Sequence, residues 1–405
     1  MAILHPFRAL RPVPDKVAEV ASVPYDVVDT EEARALAEGR PLSFLHVVRP
    51  EIDLPSGADE YAPETYERGA ANLRAFAGNG ASVQDEPSVY IYRLEMDGHT
   101  QTGVFGCVSV EEYDNGTILK HEKTRPKKET DRVRHIVTQQ AHAEPVMMTY
   151  RNADRIDVLV ASETASEPLY DFMAEDGVRH TIWKAEQQEE LVDAFERVEY
   201  LYIADGHHRC AAASRAAAEM RKASAGLPEA EFFPAVLFPM SELRILAYNR
   251  IVRKLPVPAD EFLNTLAARF DLSVDSGEKT PAEPGSVCLY LGGHWHTIQL
   301  PPTERTEVAD TLDVARLSEH LLEPEFGIMD QRLDPNIDFV GGIRGAGELE
   351  RLVDSGRAKL AISMYPTSVE ELLAVSNAGL LMPPKSTWFE PKLRSGLLVH
   401  LFDQD

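Results

Sequence analysis

One stretch constrains this chain more than any other: Val198-Glu-Tyr-Leu-Tyr-Ile-Ala-Asp-Gly-His-His-Arg-Cys-Ala-Ala-Ala-Ser-Arg215. Tyr200, Leu201, Tyr202 and Ile203 are apolar and β-prone, so they read as a short buried strand. The chain breaks at Asp205-Gly206. From Cys210 to about Lys222 it is alanine-rich and lacks Gly and Pro, which predicts a helix. Asp205, Gly206, His207, His208 and Arg209 then fall in the turn between strand and helix. A helix N-terminus offers unpaired N–H groups and the positive end of a dipole, which suits a phosphate. Gly206 lets backbone approach a ligand, and Arg209 can clamp phosphate oxygens with two N–H groups. Asp205 can hold a metal ion or accept a proton, and the histidines can do either or donate hydrogen bonds. The plainer reading is an Asp-Gly turn capping a helix, with two surface histidines.

A chain of 405 residues exceeds the usual single-domain size, so two or three subdomains are expected. The net charge of -25, from 66 acidic and 41 basic residues, argues against non-specific nucleic-acid binding, which needs a basic field. Cys107, Cys210 and Cys288 are scattered without metal-ligand spacing, so neither a disulfide framework nor a zinc site is suggested. The residues Met1 to Arg8 lack the basic and apolar regions of a secretion signal, and no apolar run is long enough to span a bilayer. A cytoplasmic protein without membrane or nucleic-acid partners is expected.

Along the chain, Pro24-Tyr25-Asp26 reads as a loop, and Thr30 to Glu38 as a helix capped by Asp29 or Thr30. Leu42 to Val48 is a strand candidate, and Tyr61 to Ala77 has helical periodicity. Ser88 to Leu94 and Gln101 to Val110 flank Asp97-Gly98, a strong hairpin signal. Ala143 to Tyr150 and Ile156 to Val160 resemble further strands. Ser286 to Leu291 and His294 to Leu300 read as a second hairpin. His294 and His296 share one strand face, which is read as exposed; with no third ligand in sight, metal binding is the less favoured reading. Ser368 and Glu371 form a capping box for a helix to Ala378.

The second chemical stretch is Ile118 to His135, with seven Lys or Arg residues in an otherwise acidic chain. A solvated charged helix would read the same way. His121-Glu122 follows an apolar pair, however, and Lys123-Thr124-Arg125-Pro126 breaks the pattern. Cations beside a carboxylate are what phosphate transfer needs, with Glu122 as base. The third stretch, Pro383-Pro-Lys-Ser-Thr-Trp-Phe-Glu-Pro-Lys392, gathers Lys385, Ser386, Thr387 and Lys392 into a loop of donors. Alone, it reads as a proline-stiffened turn.

Taken together, Val23-Pro24-Tyr25-Asp26, His121-Glu122-Lys123-Thr124, Ala204-Asp-Gly-His-His-Arg209 and Pro383 to Lys392 resemble the marks of a large bacterial and archaeal domain family long labelled as unknown in function. Three of these, in the same order, are also similar to the archaeal ADP-dependent free-serine kinases, whose fold is ParB/sulfiredoxin-like. That second resemblance covers about half of the chain. It implies that Glu122 activates a serine hydroxyl and that Asp205 is a second catalytic acid. It further implies that Gly206, His207, His208 and Arg209 hold nucleotide phosphates, and that Lys385, Ser386 and Thr387 shape the amino-acid site. Ser386 stands where those kinases have a threonine and Phe389 where they have a histidine, so the small substrate stays open.

The expected fold is α+β: a ParB/sulfiredoxin-like core at 113–255 with α/β portions at 1–112 and 256–405. The expected function is nucleotide-dependent phosphotransfer on free serine or O-phosphoserine, in either direction, using ATP or ADP and Mg²⁺. Glu122, Asp205 and His207 are the candidate catalytic residues. Gly206, His208, Arg209, His121, Lys123, Thr124 and Arg125 are assigned to the nucleotide, Lys385, Ser386, Thr387 and Trp388 to the small substrate, and Asp205 to the metal. The alternatives are a metal-dependent phosphoserine phosphatase and a non-catalytic ParB-like nucleotide-binding module. No Gly-x-x-x-x-Gly-Lys-Ser/Thr loop and no His-Arg-Asp kinase signature is present.

Overall fold

A computed structural model of the chain describes residues 1–223 and 227–402. The fold mixes helices with several sheets, and the chain divides into two compact units. The first comprises residues 1–120 and 124–243 and the chain from Pro391 onward; the second comprises residues 121–123 and 244–390.

The first unit is built on an eight-stranded sheet. Its order is Ile118–Leu119, Leu201–Asp205, Val146–Tyr150, Phe232–Pro239, His99–Ser109, Tyr90–Met96, Arg179–Lys184 and Tyr170–Met173. The pairs Ile118–Leu119 with Leu201–Asp205 and Val146–Tyr150 with Phe232–Pro239 are parallel; the others are antiparallel. Residues Phe233 to Pro239 are all buried, so this strand is apolar throughout rather than alternating. The hairpin expected at Asp97-Gly98 forms, and both turn residues have positive φ (52° and 75°), as a two-residue turn of this hand requires.

The alanine-rich helix His207–Ala223 fills the space between two layers. Cys210, Ala213 and Ala217 pack with Ile118, Val146, Met148 and Ile203 of the sheet. Ala212, Ala216 and Met220 pack with Val133 and Ile136 of the helix Pro126–Gln139. Each set repeats at helical spacing, and small side chains let both neighbours approach. A separate four-stranded sheet runs Ser82–Gln84, Ala9–Pro12, Val399–Leu401, Ala141–His142 and so joins segments from both ends of the chain.

The second unit carries a six-stranded sheet, all of whose neighbouring pairs are antiparallel: Leu272–Ser273, His294–Gln299, Ser286–Leu291, Leu360–Met364, Tyr248–Val252 and Ile337–Gly341. A short ladder pairs Ile245–Leu246 with Trp388–Phe389. The helix Val369–Asn377 begins with the expected capping box, in which Ser368 and Glu371 bond each other's backbone N–H groups.

Several expectations are corrected. Leu42 to Val48 is not a strand; it ends in the helix Leu45–Val48, where Phe44, Val47 and Val48 are buried at helical spacing. Ile156 to Val160 lies in the helix Asp154–Glu163, with Ile156, Leu159 and Val160 turned to the core and Val158 69% exposed. The strand face carrying His294 and His296 is not exposed along its length: His294 is outside, paired with Asp275 at 3.0 Å, while His296 is buried. The His296 ring accepts the Asp275 backbone N–H at 3.3 Å, so that loop covers it. Finally, the central helix starts at His207, not Cys210, which leaves Gly206 alone as the link from strand to helix.

Candidate functional site

That early start decides the geometry. Asp205 is the last residue of its strand, and His207, His208 and Arg209 form the first turn of the helix. A register shift against the Val146–Tyr150 strand falls between Ile203 and Asp205. Gly206 then turns the chain with φ of +109°, a backbone that L side chains rarely adopt. A Cβ there would also meet the Arg209 guanidinium at 3.2 Å and Val146 Cγ1 at 3.3 Å. Glycine is therefore favoured by conformation, and a Cβ would also press on the Arg209 and Val146 side chains.

Asp205 Oδ2 accepts a hydrogen bond from Lys392 Nζ at 2.7 Å. Burial pushes the Asp205 carboxyl up, but Lys392 and Arg209 outweigh it and hold the group well below the usual carboxylate range. It is an ionised carboxylate at any physiological pH. His207 is buried, and its desolvation pulls the imidazole down to about 3 against the opposing attraction of Asp205. His207 is therefore neutral near pH 7. The His208 Nε2 accepts the Arg125 backbone N–H at 3.0 Å, so a neutral ring there carries its proton on Nδ1. Thr124 donates its hydroxyl to Glu129, which also pairs with Arg215 at 3.2 Å.

Arg209 does not present an open fork. It is buried, one terminal nitrogen donates to the Pro145 carbonyl, and the other lies 3.8 Å from Asp26. Its Nε is closed off beside Gly206. Burial works against its charge, but Asp26, Glu144 and Asp205 more than compensate and keep it firmly protonated. The bidentate clamp expected from sequence is thus occupied by the protein itself, and Arg209 contributes a fixed positive charge behind the loop.

Behind it lies a network that sequence reasoning did not assign. Glu144 is buried and accepts the Tyr25 N–H at 3.0 Å and the Ser395 hydroxyl at 2.9 Å. Burial raises its carboxyl despite Arg209 and Arg132. Arg132 stacks over the Tyr25 ring at 3.9 Å and forks onto Asp131 at 2.7 and 2.9 Å. Arg132, Glu144 and Arg209 line a cavity of about 40 Å³ with His135 and His142. The motif Val23-Pro24-Tyr25-Asp26 was the one available signal for this shell; Lys392 was visible only as a donor in a loop.

The other candidates lie in the second unit. His121 is buried, and its carbonyl accepts the Met382 N–H at 2.8 Å, which ties the His121–Lys123 run to the start of the Pro383 to Lys385 loop. Glu122 is half-buried and Lys123 exposed. Lys385 has a left-handed backbone (φ +59°) and its ammonium lies 5.1 Å from the centre of the Tyr248 ring. Ser386 is buried and donates its hydroxyl to the Pro383 carbonyl at 2.7 Å. Thr387 is half-buried. Trp388 meets Tyr248 edge-on at 5.1 Å and donates to Glu390 at 2.8 Å. Phe389 is buried in the short ladder.

Among the described residues no three His, Cys, Asp or Glu side chains are grouped to hold a metal ion. The chemistry on hand is an ionised carboxylate at a helix start, with the neutral His207 imidazole and the cations of Lys392 and Arg209 around it.

A family model described as a protein of unknown function, DUF1015, matches residues 4–315. The chain belongs to that family. No curated protein matches this DUF1015 chain. Among solved structures it is similar to a conserved hypothetical protein from Pyrococcus furiosus, at 13% identity and a TM-score of 0.37, over 73% of this chain and 95% of that one. It is also similar to a free serine kinase in complex with AMP, at 12% identity and a TM-score of 0.36, over 73% and 91%. C-terminally truncated SbnI from Staphylococcus aureus matches at 14% identity and 0.39, over 74% and 90%. Among the described residues no helix is long and apolar enough to cross a membrane.

Proposed function

We propose that this DUF1015 protein is a nucleotide-dependent phosphotransferase acting on free serine or O-phosphoserine, on a ParB/sulfiredoxin-like core. The observation that carries the reading is the junction at Asp205-Gly206-His207. There an ionised carboxylate, a glycine in left-handed backbone and the start of a 17-residue helix meet at one strand end. Such a helix start binds phosphate through its N–H groups, and Gly206 leaves room for it. The motif order His121-Glu122, Asp205 to Arg209 and Pro383 to Thr387 supports the same reading.

Phosphoryl transfer asks the protein for positioning and charge neutralisation more than for covalent chemistry. Gly206, His207 and His208 cradle the nucleotide phosphates, and Arg209 supplies positive potential from behind. His207, neutral at pH 7, donates or accepts one hydrogen bond without adding charge. His121, Lys123, Thr124 and Arg125 complete the nucleotide side. Glu122 takes the proton of the serine hydroxyl as it attacks the phosphorus, or returns it when phosphoserine is the donor. Lys385, Ser386, Thr387 and Trp388 hold the small substrate. A single carboxylate fits Mg²⁺, which keeps waters and substrate phosphates as its other ligands. The Asp205 oxygen not bonded to Lys392 would hold it, and when bound it would neutralise phosphate charge.

³¹P NMR of the full chain with Mg²⁺ tests this, with phosphoserine plus ADP or AMP and, in reverse, serine plus ATP or ADP. Loss of one phosphate signal matched by gain of another on the acceptor is the expected result. Free phosphate without nucleotide would instead make the protein a phosphatase. Nucleotide binding without turnover in any mixture would make it a binding module.

A further inference from the structure

Arg250 lies in the strand Tyr248–Val252, paired on one side with Phe339 and on the other with Ile362. It is fully buried, at 0% exposure, and among the described residues no carboxylate is within ion-pair reach of it. Its strand neighbours Ile251 and Val252 are aliphatic, as a core position ordinarily requires. A buried cation without a counter-ion is costly unless its donors are satisfied.

Its two terminal nitrogens donate to main-chain carbonyls, while its buried Nε makes no hydrogen bond among the described residues. One terminal nitrogen donates to the Tyr248 carbonyl. The other donates to the Lys385 carbonyl at 3.1 Å and reaches the Pro384 carbonyl at 3.5 Å. Thr367 donates its hydroxyl to the next carbonyl of the loop, that of Ser386, at 3.0 Å. Consecutive carbonyls of the loop are thus pinned from two elements. The residue between the pins, Lys385, is the one with the left-handed backbone, a conformation that persists in a non-glycine residue only where its surroundings over-determine it.

We propose that Arg250 is the positioning residue of the Lys385 loop. Its planar fork fixes the loop carbonyls, forces Lys385 to turn left-handed, and so lays the Lys385 ammonium on the Tyr248 ring as a preset cation for an anionic group of the small substrate. The shared chemistry is an oxyanion, either an amino-acid carboxylate or a phosphate monoester. This rests on the reading of Lys385 to Thr387 as the small-substrate loop. Only a fork that bridges carbonyls performs the task; a lysine brings the same charge without that geometry.

Two variants of the full chain, Arg250→Met and Arg250→Lys, test it by hydrogen exchange and by kinetics. Amides 385–388 should exchange roughly tenfold faster in both, while the hairpin 286–299 keeps its protection. If Arg250→Met does not fold, Arg250→Lys decides. Unchanged loop protection in a folded variant overturns the proposal, whether or not the wild type turns over, so it fails separately from the phosphotransfer reading. Where the wild type is active, KM for the small substrate should rise roughly tenfold with nucleotide KM within about twofold. An equal rise in both would overturn it. A rise for phosphoserine alone assigns the cation to the phosphate, and a rise for serine as well assigns it to the carboxylate; either supports the positioning role.

Discussion

Asp205 and Lys392 are 187 positions apart and share a 2.7 Å hydrogen bond, so the charge state of the candidate metal-holding carboxylate depends on a residue that no local pattern connects to it. Replacing Lys392 by Met should let burial raise the Asp205 carboxyl and should cost about 1–3 kcal/mol of stability, since it leaves a part-buried charge without its donor. Urea unfolding of the variant measures this, and an unchanged midpoint would show that the pair is energetically idle. Glu122→Gln keeps shape and removes the base. Phosphotransfer should drop by about 10²-fold or more, with nucleotide affinity unchanged in a calorimetric titration. Retained turnover would sink Glu122 as the base. At this scale the sequence exposed Glu122, Asp205 and the two histidines because their side chains carry chemistry. It could not expose Asp26, Glu144 or Arg132 as the shell of Arg209, because that shell exists only once Tyr25 and Ser395 reach Glu144.

At the level of elements, local rules sufficed where the backbone itself demands a residue. The Asp97-Gly98 turn, the Ser368–Glu371 capping box and the Asp29 cap with Glu32 are each closed by bonds or dihedrals within a few residues. They failed for Leu42 to Val48 and Ile156 to Val160, short apolar runs whose period does not separate helix from strand. In both, packing at helical spacing won over β-propensity. The strand-to-helix junction was located correctly and its length was not. With only Gly206 in the link, the first helical N–H groups begin directly after Asp205. Gly206→Ala should therefore cost about 1–3 kcal/mol through its φ of +109° and its contact with Arg209, and should weaken nucleotide binding roughly tenfold. Wild-type affinity in Gly206→Ala would exclude the junction as the phosphate cradle.

Over the whole molecule, the chain buries His135, His142, His180, His207 and His400, and burial holds each below the ordinary histidine value of 6.5. The unfolded chain takes up protons below about pH 6.5 that the native state refuses. Stability should therefore fall with pH below 6.5, by about 1.4 kcal/mol per pH unit for each such histidine in the range where only the unfolded form is charged. Urea midpoints at pH 7.5 and 5.5 check the sign, and His142→Phe should flatten the slope by one histidine's share. Equal midpoints at the two pH values would refute it. By itself the sequence determined the α+β class, a short buried strand before the break at Asp205-Gly206, an alanine-rich helix after it and the family, because these follow from periodicity, turn chemistry and short motifs. Tertiary structure alone decided that the chain from Pro391 onward returns to pair beside Ala9–Pro12 and delivers Lys392 to Asp205, and that Arg209 is spent on Pro145 and Asp26. The physical reason is range: turns and caps are settled by bonds within a few residues, while a buried charge is settled by whichever distant partner the fold brings to it.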